Sequence, residues 1–338
     1  HHQQGVGREP RSVRHLVKTT CNHRVGVAND TMKITFLDAA TVGETSLSPI
    51  AACGELTARP TSSPEEAKER VKDCEVLIVN KVKVTEELLG VAPYVKLVCE
   101  AGTGINNIDV KACEKRGIIV RNVAGYSTEP VVQQTFMHIL SLLGNGPYFD
   151  DAVKSGGYSS SGMFTNVIKP FVEVYGKQIG IIGMGTIGSR VAEVAEAFGM
   201  KVVYYSTSGT GHCTKYPSIP LEELMRTSDV ISIHAPYNDR TAGLIGEKEL
   251  RMMKPTAIIV NMGRGGIIEE AALAKVIDDD DIGGAALDVF VNEPIPFDNP
   301  ILHTRHPEKF HFTPHIGWAS VEARDRLVAA IADNIKKG

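Results

Sequence analysis

Three polar side chains, Arg264, Glu293 and His315, stand in segments that each follow a short apolar run typical of a buried β-strand. A histidine can give up a proton near neutral pH, and an arginine is a fixed cation that can polarise a carbonyl oxygen. A carboxylate beside the histidine would favour its charged form and fix the orientation of its ring. These residue types together suit the reduction of a ketone, in which charge develops on oxygen and a proton must be supplied.

Each of the three also fits a structural role when taken alone. His315 could be a satisfied core histidine, Glu293 an acid in a surface loop, and Arg264 a salt-bridging loop residue. Their shared position after strands is the reason to group them, because the carboxyl ends of parallel strands meet at one edge of a sheet. We therefore expect the three side chains to lie together.

A second motif, at residues 183–188, reads Gly-Met-Gly-Thr-Ile-Gly after an apolar run. Gly183 allows a tight turn, Gly185 lets the backbone approach phosphates, and Gly188 lets the following helix pack closely on the sheet. The positive end of that helix would face an anion. Because the motif lies between a strand pattern and a helix pattern, it favours a dinucleotide site over a simple glycine turn.

The cofactor's form depends on Ser206, which follows the next predicted strand. An Asp or Glu usually occupies this position in NAD-binding units, where it holds the ribose hydroxyls. Ser206 would not repel a 2′-phosphate, and Lys215 or His212 could accept one. Since no arginine follows the strand, the sequence leaves both NAD and NADP open.

From Met32 onward, short apolar strands alternate with amphipathic helices, the pattern of parallel α/β domains. The first unit has predicted strands at 34–37, 76–79 and 97–99 and helices at 64–74 and 85–89. A long helix at 127–143 and a glycine-rich stretch at 144–162 lead to the second unit. Its predicted strands are 178–182, 201–205, 230–233, 257–260 and 284–289, and its helices are 220–226, 247–253 and 269–277.

The expected fold is two Rossmann-like parallel-sheet domains of the α/β class. The amphipathic segment at 320–337 needs a partner surface, so we expect it to cross back onto the small first unit. The dinucleotide-binding domain, 126–318, would then be inserted into a smaller flavodoxin-like substrate domain, 32–125 plus 319–338. Residues 1–31 are interpreted as a leader or added segment, with a basic organellar targeting segment as the alternative.

Composition narrows the class of protein. The 338 residues are 43% hydrophobic and 22% charged, which is ordinary for a soluble globular chain, and the net charge of −4 argues against a nucleic-acid partner. No apolar stretch approaches the roughly 20 residues that span a bilayer, so we expect a cytoplasmic protein without a membrane partner. The six cysteines are scattered without a CxxC pair, which indicates reduced thiols and no metal site.

Four segments in order, GMGTIG, NMGRGG, AALDVFVNEP and TPHIGWAS, resemble the signatures of the D-isomer-specific 2-hydroxyacid dehydrogenases. The similarity covers 32–334, and NVAGYST with HIGW is similar to the glycerate dehydrogenase or hydroxypyruvate reductase group. The resemblance implies that Arg264 grips the substrate and polarises its carbonyl, while Glu293 orients and charges His315. His315 would then give the proton during reduction.

The resemblance also assigns residues around the ligands. It implies a backbone cradle for the substrate carboxylate, since exposed N–H groups can approach an anion, and this cradle comprises Ala101, Gly102, Thr103 and Gly104. Beyond the glycines and Ser206, the implied cofactor contacts are Thr186 and Ile187 at the pyrophosphate, His234, Ala235 and Pro236 at the adenine-ribose side, Asp288 at the nicotinamide carboxamide, and Met262 and Gly317. A homodimer formed through the cofactor domain is implied as well.

The expected function is therefore NAD(P)H-dependent interconversion of a small 2-keto acid and its D-2-hydroxy acid, with glyoxylate or hydroxypyruvate as substrate. The alternative is a nucleotide-sensing, corepressor-like binding protein of the same fold, which can keep all three polar residues. Formate dehydrogenases pair their histidine with glutamine, whereas this chain has Glu293. A phosphite-oxidising relative keeps a similar trio and is only weakly disfavoured.

Overall fold

Two separate parallel sheets organise the residues that the structure describes, 30–211 and 213–338 of this computed structural model. Nearly all of the leader predicted at 1–31, and His212, lie outside the described residues. The strands are β1 Lys33–Phe36, β2 Glu55–Ala58, β3 Val76–Val79, β4 Leu97–Glu100, β5 Ile119–Arg121, β6 Gln178–Ile182, β7 Lys201–Tyr205, β8 Val230–Ile233, β9 Ile258–Asn261, β10 Gly284–Leu287 and β11 Phe310–Phe312.

Helices flank both sheets. They are α1 Ser48–Ala51, α2 Pro64–Arg70, α3 Glu86–Gly90, α4 Val110–Lys115, α5 Thr128–Gly144, α6 Gly146–Lys154, α7 Gly157–Ser160, α8 Thr186–Ala197, α9 Leu221–Thr227, α10 Glu247–Leu250, α11 Glu270–Asp278 and α12 Val321–Lys337. Short 3-10 turns lie at Ala39–Val42, Pro300–Leu302 and Pro307–Lys309.

The first sheet has the parallel order β2-β1-β3-β4-β5, which is the flavodoxin-like order. The sequence predicted its three central strands but missed the two edges. The side chains of β2 are mostly exposed, so no alternation of apolar and polar residues marks that strand. The sequence reading also missed β5 and α4, and it extended α2 beyond its actual end at Arg70.

The C-terminal helix α12 packs on this first sheet. Its Leu327, Ile331 and Ile335 share one buried core with Ile34 and Phe36 of β1. This contact confirms that the last segment returns to the first unit, because burial of its apolar stripe requires a partner surface. The side chain of Ser320 begins the helix by accepting a hydrogen bond from Ala323 N–H at 3.0 Å.

The second sheet is also parallel, with the order β11-β10-β9-β8-β6-β7. Its two faces carry separate cores, one covered by α5 and α8 and the other by α9 to α11. The predicted bounds of β6, β7 and β8 agree with the structure. The order of connections reverses between β6 and β8, so a crevice opens at their carboxyl ends.

The stretch at 144–162 was expected to be a glycine-rich connection, and the structure corrects this expectation. It contains α6 and α7, and Lys154 pairs with Asp150 one turn earlier at 2.6 Å. Five glycines hid the helical pattern because glycine is a poor helix former. The domain limits given above stay a prediction. None of the helices within the described ranges combines the length and apolar character that crossing a bilayer requires.

Candidate active site

The glycine turn after β6 is fixed by close backbone contacts. Gly183 has a φ of +93°, and a Cβ atom placed on it would lie 2.9 Å from backbone atoms of His234 and Ala235. A Cβ on Gly188 would lie 2.1 Å from the carbonyl oxygen of Gly183. These two positions therefore exclude any side chain, which lets α8 begin at Thr186 directly against the turn.

A cavity of about 380 Å³ opens in front of this turn. It is lined by Gly183, Met184, Gly185, Ser206, Thr207, Ser208, His234, Pro236, Asn238 and Arg240. A Cβ on Gly185 would meet no atom within 4 Å, so its backbone faces open space. His234 Nδ1 is buried without a hydrogen-bond partner among the described residues, while its Nε2 lies 2.7 Å from Ser232 Oγ. The cavity thus fits a dinucleotide, with bare backbone for phosphates and an unused polar atom.

Of the predicted cofactor residues, Gly183, Gly185, Ser206, His234 and Pro236 line this cavity. The others lie around it or toward the catalytic edge. Ala235 contacts the turn through its backbone, Thr186 and Ile187 begin α8, and Met262 lies beside Gly317. Their contacts with the cofactor stay predictions.

The cation that lies near Ser206 is not the one that the sequence predicts. Lys215 is a predicted phosphate partner, but its Nζ pairs with Glu196 at 3.0 Å and it does not line the cavity. Arg240 lines the cavity instead, and its Nη1 donates to the carbonyl of Ser208. No sequence pattern predicts this contact, because the arginine follows β8 and lies far from Ser206 along the chain.

The three strands that carry the predicted catalytic residues are neighbours in the sheet, in the order β11-β10-β9. Arg264 follows β9, and Asn261 holds its loop by donating to the Arg264 carbonyl at 3.0 Å. A Cβ on Gly265 would lie 1.9 Å from the carbonyl oxygen of Phe290, so the arginine loop abuts the loop that carries Glu293. The strand ends therefore bring these loops together.

Glu293 and His315 form a direct pair, with Oε2 and Nδ1 2.6 Å apart. The other carboxylate oxygen, Oε1, accepts the N–H of Phe290 at 3.0 Å. Burial raises the pKa of Glu293, but the hydrogen bonds from His315 and Phe290 outweigh it and leave the pKa lowered. The carboxylate is thus charged near neutral pH, and the pairing leaves Nε2 of His315 as the ring nitrogen for a substrate.

The backbone of His315 is held in the left-handed region, with a φ of +53°. Its N–H donates to the carbonyl of Asp288 at 2.8 Å. The Asp288 side chain is 2% exposed and accepts N–H groups of Ile316 and Gly317 at 2.9 and 3.0 Å. Because such a conformation is costly for a histidine, these bonds must impose it. Asp288 positions the His315 loop, and its predicted nicotinamide contact stays a prediction.

A pair of histidines, His138 buried and His311 partly buried, is linked to the Asp288 carboxylate by hydrogen bonds. His138 Nδ1 lies 2.7 Å from His311 Nδ1, and His138 Nε2 lies 2.9 Å from Thr313 Oγ1. Thr313 donates its hydroxyl to Asp288 at 2.7 Å. Because a carboxylate only accepts, the Thr313 hydroxyl donates to Asp288 and accepts from Nε2–H of His138. A neutral His138 then accepts at Nδ1 from Nδ1–H of His311. Burial, followed by the neighbouring His311, lowers the pKa of His138 to about 4.

The predicted substrate cradle lies after β4, within reach of Arg264. A Cβ on Gly104 would lie 3.4 Å from Arg264 Nη2. Thr103 is fixed by donating its hydroxyl to Val123 O at 2.8 Å. The N–H of Ala101, however, donates to Val79 O at 2.7 Å within the sheet, so it is not free to face an anion. The cradle is therefore reduced to the backbone of 102–104.

Two polar residues that sequence reasoning missed lie beside this cradle. A Cβ on Gly102 would lie 3.6 Å from Asn80 Oδ1 and 3.7 Å from Glu100 Oε1. Glu100 is 1% exposed, and burial raises its pKa to about 8. The carboxyl group is therefore largely neutral at pH 7 and does not repel an anion bound above it.

Within the described residues, no cluster of three or more His, Cys, Asp or Glu could hold a metal ion.

The chain is similar to several known proteins. Residues 136–317 match the family model described as D-isomer specific 2-hydroxyacid dehydrogenase, NAD binding domain. The chain is 36% identical to a glyoxylate reductase of Korarchaeum cryptofilum, over 87% of this chain and 89% of that protein. It is 34% identical to a glycerate dehydrogenase of Methylorubrum extorquens, over 82% and 86%. A solved acyclic imino acid reductase in complex with NADPH and D-Arg superposes with a TM-score of 0.79, 30% identity and coverage of 90% and 96%.

The low pKa of His138 predicts a specific loss of stability in acid. Because the folded protein keeps this histidine neutral until about pH 4, while an unfolded histidine binds a proton near pH 6.5, stability should fall as pH drops from about 6.5 to 4. The contribution should be roughly 1 to 3 kcal/mol. Urea unfolding at several pH values should therefore show a flatter dependence for His138→Leu than for the wild type.

His306 provides the matched control, since it is partly exposed and pairs with Glu308 in a surface turn. His306→Gln should keep the wild-type acid dependence. A slope that is the same in His138→Leu and in the wild type would contradict the assignment of a neutral, buried His138.

Proposed function

Because the chain belongs to the D-isomer-specific 2-hydroxyacid dehydrogenase family, we propose that it reduces glyoxylate or hydroxypyruvate to the corresponding 2-hydroxy acid. It is an oxidoreductase of the CH–OH group that uses a nicotinamide dinucleotide. The observation that carries the choice of catalytic residues is the 2.6 Å pair between His315 and Glu293. It lies at the same sheet edge as the arginine loop.

Each residue has a role that its position supports. When bound, the reduced nicotinamide supplies a hydride to the carbonyl carbon of the substrate. Arg264 lies beside the cradle, where its positive charge stabilises the developing negative charge on the carbonyl oxygen. His315 donates the proton from Nε2 to that oxygen, and the reverse reaction returns it. Glu293 orients the imidazole ring through the opposite nitrogen, Nδ1.

The proposed cradle supports the choice of a small acid as substrate. Backbone N–H groups of 102–104 can hold a carboxylate without a bulky side chain between them. Gly104 leaves room for Arg264, because a Cβ at this position would lie only 3.4 Å from the guanidinium. A keto acid bound here presents its carbonyl to Arg264 while its carboxylate stays on the loop.

We also propose that the working form is a homodimer. The segment between α5 and β6 exposes several large apolar side chains, among them Phe164 at 89%, Ile168 at 86% and Val167 at 80%. Apolar side chains clustered in this way usually mark an interaction surface. A second copy of the chain is the partner that the family resemblance implies.

A cytoplasmic location is proposed on the unpaired, buried thiols of Cys74 and Cys99, which reducing compartments preserve.

The first test is a screen of NADH and NADPH oxidation against glyoxylate, hydroxypyruvate, pyruvate and bulkier 2-keto acids. Turnover should be seen with the small acids, and His315→Ala should lose roughly two to four decades of kcat, the usual contribution of a positioned acid. Fluorescence titration should show nearly unchanged nucleotide affinity. His306→Ala is the control and should keep full turnover. Nucleotide binding without turnover of any acid would support the alternative of a binding protein.

The second test concerns the charge of Glu293. Glu293→Gln keeps the size and a hydrogen bond but removes the anion that favours the imidazolium. The pH above which keto-acid reduction declines should therefore move to lower pH. The measurement is kcat/KM for reduction between pH 5 and 9. An unmoved pH profile would count against the pairing as a source of the transferable proton.

The third test concerns assembly. The wild type should have twice the chain mass of 36.5 kDa in analytical ultracentrifugation. Ile168→Asp should give the monomer, because a buried unpaired charge at an interface is costly. Tyr94→Asp serves as the matched control, since Tyr94 is 60% exposed on the first sheet's side and outside the segment. A monomeric wild type would refute the dimer.

A further inference from the structure

The end of the cavity away from the catalytic edge has an unusual set of polar groups. Ser206, Thr207 and Ser208 line it from the loop after β7, and Arg240 lines it from the loop after β8. Of the described residues that line the cavity, none is Asp or Glu. This end therefore combines three hydroxyls with a guanidinium and no opposing carboxylate.

The hydroxyl loop is closed on itself by hydrogen bonds. Ser206 donates to the carbonyl of Thr210 at 2.8 Å, and its oxygen lies 3.1 Å from the hydroxyl of Ser208. A hydroxyl can rotate to a new acceptor without any movement of the backbone. Ser206 and Ser208 can therefore turn their protons from the Thr210 carbonyl to an anion in the cavity.

Arg240 is held at this loop from both sides. Its Nη1 donates to the carbonyl of Ser208, and this acceptor is neutral, so the bond does not cancel the positive charge of the guanidinium. The backbone N–H of Arg240 donates to Asn238 Oδ1 at 2.9 Å, and the backbone N–H of Asn238 donates to Thr241 Oγ1 at 2.9 Å. A guanidinium has five donors, so several stay available for a ligand. Gly209, with a φ of +78°, gives the loop the turn that meets the guanidinium.

We propose that Arg240, with Ser206 and Ser208, forms a binding site for the 2′-phosphate of NADP, so that NADPH is the preferred reductant. The inference rests on the proposed function, because it concerns the same cavity. At the end of the strand after the glycine turn, an acid selects the ribose hydroxyls of NAD and an arginine accommodates the phosphate of NADP. Here the arginine comes from the loop after β8, which is separated from β7 by β6, and a serine stands in place of the acid.

The test is calorimetric titration of the full chain with NADPH and with NADH. The wild type should bind NADPH more tightly, by roughly 10- to 100-fold, the contribution expected from hydrogen bonds to a charged group. Arg240→Gln should remove this preference by weakening NADPH binding, with NADH affinity changed by less than about twofold. Adenosine 2′,5′-bisphosphate against 5′-AMP probes the phosphate without the nicotinamide, and the same variant should remove their difference.

Lys215→Gln is the matched control, because Lys215 is a nearby cation already paired with Glu196. It should keep the NADPH preference. Equal binding of both nucleotides by the wild type, or a preference that survives Arg240→Gln, would overturn the inference while leaving the proposed function standing. Failure to bind either nucleotide would overturn both. Circular dichroism melting of each variant separates a lost contact from a lost fold.

Discussion

The buried carboxylate of Asp288 is the constraint on which the catalytic edge depends. It accepts hydrogen bonds from two backbone N–H groups of the loop after β11 and from the hydroxyl of Thr313. The backbone carbonyl of Asp288 accepts the N–H of His315. Together these bonds hold a histidine in a backbone conformation that few side chains adopt. The chain of donors that begins at His311 and passes through His138 ends on the same carboxylate. Hydrogen bonds made by other residues, which all end on Asp288, therefore fix the position of the imidazole.

Two glutamates show how burial is used in opposite ways. Glu293 is partly buried, but the donors around it lower its pKa, so it remains an anion that supports the imidazolium. Glu100 lacks a comparable set of donors, and burial raises its pKa to about 8. It therefore stays largely neutral beneath the loop proposed to hold the substrate's carboxylate. The same functional group serves as a charge at one position and as a neutral polar group at the other.

The nucleotide cavity is built by two kinds of constraint. At the glycine turn, the exclusion of side chains at Gly183 and Gly188 brings backbone groups against each other and leaves Gly185 open. At the far end, charged and hydroxyl groups from two loops meet across the cavity. The first constraint concerns shape and would suit any dinucleotide, whereas the second concerns charge and is the part that we propose distinguishes NADP from NAD.

The sequence by itself determined the features that depend on local order along the chain. These are the glycine turn, the central strands with their continuous apolar runs, and the convergence of the Arg264, Glu293 and His315 segments on one sheet edge, since parallel strands must end on the same side. Only the tertiary structure decided what depends on contacts between distant loops: Arg240 at the loop of Ser206, the His138–His311 pair, and the loss of Ala101 N–H to the sheet. Exposed edge strands such as β2 were missed because a strand is recognised in a sequence by the apolar residues that burial of a face requires. A contact between two loops leaves no such periodicity, because the intervening fold sets the distance between them.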